Sequence, residues 1–141
     1  MPARLDIQAS AEDLRTASQW LERECARLDL PADQCMRLDL CLNEVVANVM
    51  AHGGGGATQA PVSLTLSAAN PQQAELHITD SGKAFNPLTA DIQQPANNLA
   101  DAAIGGLGLT MITHYADDLQ YEYRDGRNHL HVTVRWGRQA L

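Results

Sequence analysis

The order of periodic segments predicts a two-layer α+β sandwich. Two observations carry this: the helical stretches are grouped rather than alternating strictly with strands, and the strand-like segments come in pairs around turn residues. A doubly wound parallel fold would need a helix between successive strands. With 141 residues there is room for one domain, residues 1–141, and little for a second core.

Residues 4–8 read as a short opening strand. Ser10 is an N-cap signal, with Asp13 three residues on as an imperfect capping-box partner. Leu14, Ala17, Leu21, Cys25 and Leu28 recur at helical spacing, which sets a first amphipathic helix over residues 11–28, broken at Leu30-Pro31. A second helix starts near Pro31 or Ala32, since proline is tolerated in a first turn. Its apolar stripe is Leu38, Leu42, Val45, Val46 and Val49. Beside it runs another row, Arg37, Cys41, Glu44, Asn48 and His52. The glycines at 53–56 are a strong stop.

Val62, Leu64 and Leu66 then alternate with Ser63, Thr65 and Ser67, as in a half-buried strand. Asn70-Pro71 supplies a turn, and Leu76 and Ile78 mark a second strand that leads into Asp80 and pairs antiparallel with the first. Periodicity disappears over residues 81–104, a length that marks a functional or mobile loop, read here as a lid. Gly105-Gly106-Leu107-Gly108 opens a third helix carrying Leu109, Met111, Ile112 and Tyr115. Two last strands, near residues 119–124 and 129–136, flank the turn Asp125-Gly126; Leu130, Val132 and Val134 alternate on the second.

Composition narrows the class. A hydrophobic fraction of 45% with 19% charged residues is ordinary for a soluble protein. No apolar run has membrane-spanning length, and the N-terminus lacks a secretory layout, so the expectation is a cytoplasmic protein without membrane contact. A net charge of −7 argues against direct nucleic-acid binding, which needs a basic footprint. It leaves a nucleotide ligand open, because backbone N–H groups, a helix N-terminus and Mg²⁺ can hold phosphates without lysines. Cys25, Cys35 and Cys41 form no C-x-x-C pair and read as reduced thiols. Among the scattered histidines, His129 and His131 share one strand face, too few for a metal site.

Three motifs carry chemistry. Glu44 and Asn48, at i and i+4, lie on one helical face beside the apolar stripe. Asp80-Ser81-Gly82-Lys83-Ala84-Phe85 places a carboxylate at a strand end, where it can accept from an exocyclic amine, with a glycine that lets a ligand approach. Gly106-Leu107-Gly108-Leu109 offers N–H groups at a helix start, where phosphate is favoured. Each motif has a plainer reading alone: a solvated helix edge, a strand-terminating turn, a flexible connector.

Their combination and order resemble the Bergerat ATP-binding superfamily, and within it the anti-sigma-factor serine/threonine kinases. Residues 38–48 look like the N box, residues 80–85 like the G1 box and residues 106–112 like the G2 box. The resemblance implies a mixed, mostly antiparallel sheet covered on one face by helices. It makes Glu44 the general base for an attacking hydroxyl, Asn48 the Mg²⁺ ligand and Asp80 the reader of adenine. Gly82 and Phe85 would lie at the base, and Gly106, Leu107, Gly108 and Leu109 at the phosphates.

The implied function is an ATP-dependent protein kinase that phosphorylates an anti-anti-sigma antagonist of the STAS type and alternately holds a sigma factor or other regulator, and the resemblance also implies a homodimer. Three features depart from the pattern: the glycine run at 53–56, Lys83 within the G1 box, and the lack of any arginine or lysine between Ala84 and Met111. The last keeps two alternatives open, a non-catalytic nucleotide-sensing module and a slow ATPase.

Overall fold

The computed structural model describes residues 2–52, 61–84 and 114–137. Within them run β1 (Ala3–Ile7), α1 (Ala11–Arg27), α2 (Ala32–His52), β2 (Val62–Asn70), β3 (Gln73–Asp80), β4 (Asp118–Arg124) and β5 (Arg127–Arg135). The architecture is the expected α+β sandwich. Residues 85–113, which hold most of the expected lid and the glycine-led start of the third helix, lie outside the described residues, as does the glycine run at 53–56. His114 and Tyr115, at the expected end of that helix, are helical.

Local chemistry explains the helix boundaries. Ser10 Oγ caps α1 by accepting from Asp13 N at 3.1 Å. The capping box is not completed, because Asp13 Oδ2 accepts from Gln8 N, at 2.7 Å, rather than from Ser10 N. At the other end Asp29 turns left-handed, with φ 59. Asp29 N donates to Ala26 O and Leu30 N to Cys25 O, the paired bonds of a Schellman closure. That closure ends α1 just ahead of Pro31, and α2 begins at Ala32.

The sheet runs β1-β2-β3-β5-β4, and every pairing is antiparallel. Among the described residues the expected mixed sheet is wholly antiparallel; tight turns dictate this for β2–β3 and β4–β5. At Asp125-Gly126 both residues have positive φ, 53 and 73. This two-residue turn matches the strand twist and carries pairing to Arg124↔Arg127, so β5 starts two residues earlier than its apolar pattern indicates.

Alternation sends one side of each inner strand to the core: Leu64 and Leu66, Leu76 and Ile78, Val132 and Val134. They meet Leu21 of α1 and Leu38, Leu42 and Val46 of α2, all essentially without exposure. Burying each such side chain contributes about 1.5–3 kcal/mol. Trp20 joins this core although the five-position stripe of α1 omitted it. The sheet's other face carries no helix from the described residues and is polar, with Thr65, His77, Thr79, Arg127 and His131. Among the described residues no helix is long and apolar enough to cross a membrane.

Candidate functional site

Asp80 closes β3 on the helix-facing side, two residues beyond Ile78, and is buried. Its Oδ1 accepts from Gly82 N at 2.9 Å, which folds residues 80–82 into an Asx-type turn. The same oxygen accepts from Asn128 Nδ2 at 3.0 Å. Asn128 stands directly opposite Asp80 in the β3–β5 register and also donates to Lys83 O at 2.8 Å. Its Oδ1 in turn accepts from the Tyr121 hydroxyl on β4. Two strands thus hold the turn after Asp80. Asp80 Oδ2 takes no part in these bonds, so the carboxylate keeps an acceptor for a ligand.

The second part of the site lies on α2, which packs against β3 and β5. The row read from the sequence alternates between partly exposed and buried positions. Arg37 pairs with Asp33 at 2.9 Å, Cys41 is buried, Glu44 is half-buried and Asn48 is buried, while His52 ends the helix. Burial and then the charge of Glu44 push the Cys41 thiol up to about 12, which makes it an inert neighbour. Asn48 Nδ2 is buried without a hydrogen-bond partner among the described residues. Leaving such a donor unsatisfied costs about 1–3 kcal/mol, so Asn48 is a poor choice for structure alone.

Glu44 and Asn48 share the helix packed on the strand that ends in Asp80, and Asp80 and Gly82 are bonded to each other. Asn48, expected beside the apolar stripe, is as buried as Val45 and Val49 within it. Phe85, Gly106, Leu107, Gly108 and Leu109 lie outside the described residues. Asn128 and Tyr121 were missed as site residues. The signal for Asn128 was available: the inward alternation Val134, Val132, Leu130 extends back to it, and an amide at a core-facing position needs partners.

The site thus joins a buried acid that ends the central strand of a two-layer sandwich to a neighbouring helix carrying a carboxylate and a buried amide. Residues 7–136 match the family described as the histidine kinase-like ATPase domain, and the chain belongs to that family. It is 34% identical over 129 residues to the serine/threonine-protein kinase BtrW of Bordetella bronchiseptica, covering 92% of this chain and 90% of that protein. In fold it is similar to the RsbU and RsbW domains of Rv1364c from Mycobacterium tuberculosis, with a TM-score of 0.72 at 16% identity. That match covers 99% of this chain but 34% of the longer one. The SiaB-SiaC complex from Pseudomonas aeruginosa contains a further similar chain, with a TM-score of 0.64 at 14% identity, covering 94% of this chain and 88% of that one. Family and full-length relative together make this an enzyme of the ATP-dependent kinase type.

Proposed function

We propose that this chain is a cytoplasmic serine/threonine protein kinase that transfers phosphate from Mg-ATP to an anti-anti-sigma antagonist of the STAS type. It regulates transcription by exchanging that antagonist for a sigma factor or comparable regulator. The observation that carries the reading is the buried Asp80, preset by Gly82 and Asn128 while one carboxylate oxygen stays available. Near full-length similarity to a serine/threonine-protein kinase supports the choice of reaction.

In this reading Asp80 Oδ2 accepts the adenine exocyclic amine, and Gly82 and Phe85 lie at the base. Gly106, Leu107, Gly108 and Leu109 supply N–H groups to the phosphates. Asn48 would hold a divalent cation through its amide oxygen, a neutral hard donor; the atom left open among the described residues is its nitrogen, which can donate to a phosphate oxygen but not to a cation. When bound, Mg²⁺ would neutralise charge on the phosphates. Glu44, one turn before Asn48, orients the substrate hydroxyl and takes its proton as the hydroxyl oxygen bonds to the γ-phosphorus and the bond to ADP breaks. Residues 1–141 act as one domain, and a homodimer would use β1 or α1.

The absence of arginine and lysine between Ala84 and Met111 favours one second reading, a nucleotide-sensing module or slow ATPase that switches partners without transferring phosphate. One experiment separates the two. The protein is incubated with Mg-ATP and a candidate antagonist encoded beside it, and the antagonist's intact mass is measured. A gain of one phosphoryl group is expected; tight binding with an unchanged mass after long incubation overturns the kinase reading.

A further inference from the structure

On the face of the sheet away from the helices, strand alternation gathers Arg4 of β1, Ser63 and Thr65 of β2, His77 and Thr79 of β3, and Arg127 of β5. They line a depression of about 340 Å³ with no carboxylate among its lining residues. The two arginines come from strands separated by β2 and β3, and each reaches inward to the next strand. Arg4 Nη2 donates to Ser63 Oγ at 3.3 Å, and Arg127 Nη2 donates to Thr79 Oγ1 at 3.0 Å. Ser63 and Thr79 are themselves register partners on neighbouring strands. Directly opposed residues of an antiparallel pair lie about 4.5–5.5 Å apart at Cα. Two guanidinium groups are therefore brought onto one cross-strand pair of hydroxyls.

One carboxylate, Asp6, opposite Ser63 in the register, is shared by the two guanidinium groups: Ser63, Arg4 and Arg127 all hold its carboxyl below its ordinary value. The other carboxylates of this face have nearer partners: Glu122 pairs with Arg124 at 3.0 Å, Asp118 lies 4.0 Å from Arg135, and Glu75 lies 3.2 Å from His131 Nδ1, while Asp6 pairs with Arg4 at 3.1 Å. Among the described residues Arg127 makes no salt bridge and feels Asp6 only at longer range, and its hydrogen-bond partner, Thr79, is a neutral hydroxyl. A guanidinium carries five donors in a planar fork suited to bidentate oxyanions, so most of its capacity is unspent. Thr79 Oγ1 accepts from Arg127 and so has its own proton to offer outward. The Arg4–Asp6 pair is exposed, at 66% and 47%, and contributes little enough to yield to a ligand.

We propose that this depression is a binding site for a phosphate-type oxyanion, bridged by Arg127 and Arg4 and bonded by the hydroxyls of Thr79 and Thr65. It lies on the face opposite Asp80 and Asn48 and stands independently of the kinase reading. With a net charge of −7, the protein as a whole does not attract anions, so the affinity rests on the local fork geometry.

The test is a titration of the full chain with inorganic phosphate, followed by backbone amide NMR shifts, with a phosphoserine peptide as a second arm. Saturable shifts are expected at Ser63, Thr65, Thr79 and Arg127. Arg127→Gln should weaken them at least about tenfold, since it removes a charge-assisted pair. Arg4→Gln, at a more exposed position, is the second variant should the first fail to fold, and should weaken them as well. Tighter saturation by the peptide would assign the phosphate to a modified protein, and saturation by free phosphate alone to a small anion; either supports the site. No saturable shift on this face, or affinity unchanged in both variants, overturns it.

Discussion

Asn128 and Asn48 are both interior asparagines, equally hidden at 6% and 7% exposure, yet their amides are treated in opposite ways. Asn128 bonds to Asp80, Lys83 and Tyr121 and holds the turn at the strand end. Asn48, on α2, leaves its nitrogen without a partner among the described residues. One half of the candidate site is built by the protein for itself; the other keeps hydrogen-bonding capacity in reserve. A buried polar group saturated by its neighbours stabilises and positions, whereas one left open points to a ligand that completes it.

The largest expected effect sharpens the open half. Under the kinase reading, Glu44→Gln keeps size and hydrogen bonding but removes the proton acceptor. It should slow phosphoryl transfer at least about a hundredfold while ATP affinity stays near normal. Single-turnover kinetics alongside calorimetry separates the two quantities; an equal loss in both would place Glu44 in binding instead.

The same leucine at each asparagine tests the comparison directly. Asn128→Leu strips partners from Asp80, Lys83 O and the Tyr121 hydroxyl together, and should cost about 2–4 kcal/mol in denaturant unfolding. Asn48→Leu removes an unsatisfied donor and should raise the stability of the nucleotide-free protein by about 1 kcal/mol, while abolishing Mg-ATP binding. Destabilisation by both substitutions would break the distinction.

Asp80→Asn is gentler on the fold, because an amide oxygen can still accept from Gly82 N and Asn128. Its nitrogen, however, would face another donor in adenine, for a loss of about 1–3 kcal/mol in ATP binding. Unchanged affinity in a folded Asp80→Asn protein would remove the base from this end of β3.

The smallest effect belongs to the sheet's open face. His77 stacks on His131 at 4.1 Å between ring centroids, and its Nε2 lies 3.1 Å from His129 Nδ1. Burial first, then His131 and His129, hold its pKa at about 4, below the ordinary 6.5. Burial lowers His129 too. Between these values the unfolded chain binds more protons than the folded one. The contribution is therefore complete above pH 6.5 and is lost as pH falls toward about 4. The ring is partly solvated, so the amount is on the order of 1 kcal/mol. Melts across that window should show a shallower acid loss in His77→Gln; identical slopes would contradict it.

Much of this was legible in the residues themselves. The period of Leu38, Leu42, Val45, Val46 and Val49 placed α2, the alternation in β2 placed its inward face, and Asp125-Gly126 marked the hairpin, because each signal is local to its segment. The first helix escaped in detail, since a five-residue stripe is narrower than the face that buries Trp20. The burial of Asn48 also escaped: periodicity gives its angle on the helix, but how far the sheet reaches round that angle depends on packing.

By itself the sequence determined the types and order of the described elements, the antiparallel pairing of strands joined by short turns, and the acid and amide candidates Glu44, Asn48 and Asp80. Those follow from residue-by-residue preferences and short-range spacing. Only the tertiary structure decided which strand lies beside β3. By placing β5 there, rather than β4, it brought Asn128 from 48 positions away to hold Asp80, and His129 and His131 from the same strand to stack around His77. No local signal encodes such a meeting, because strand order and register are settled by packing the whole apolar face at once, and a shift of one residue would turn every one of these side chains to the other side.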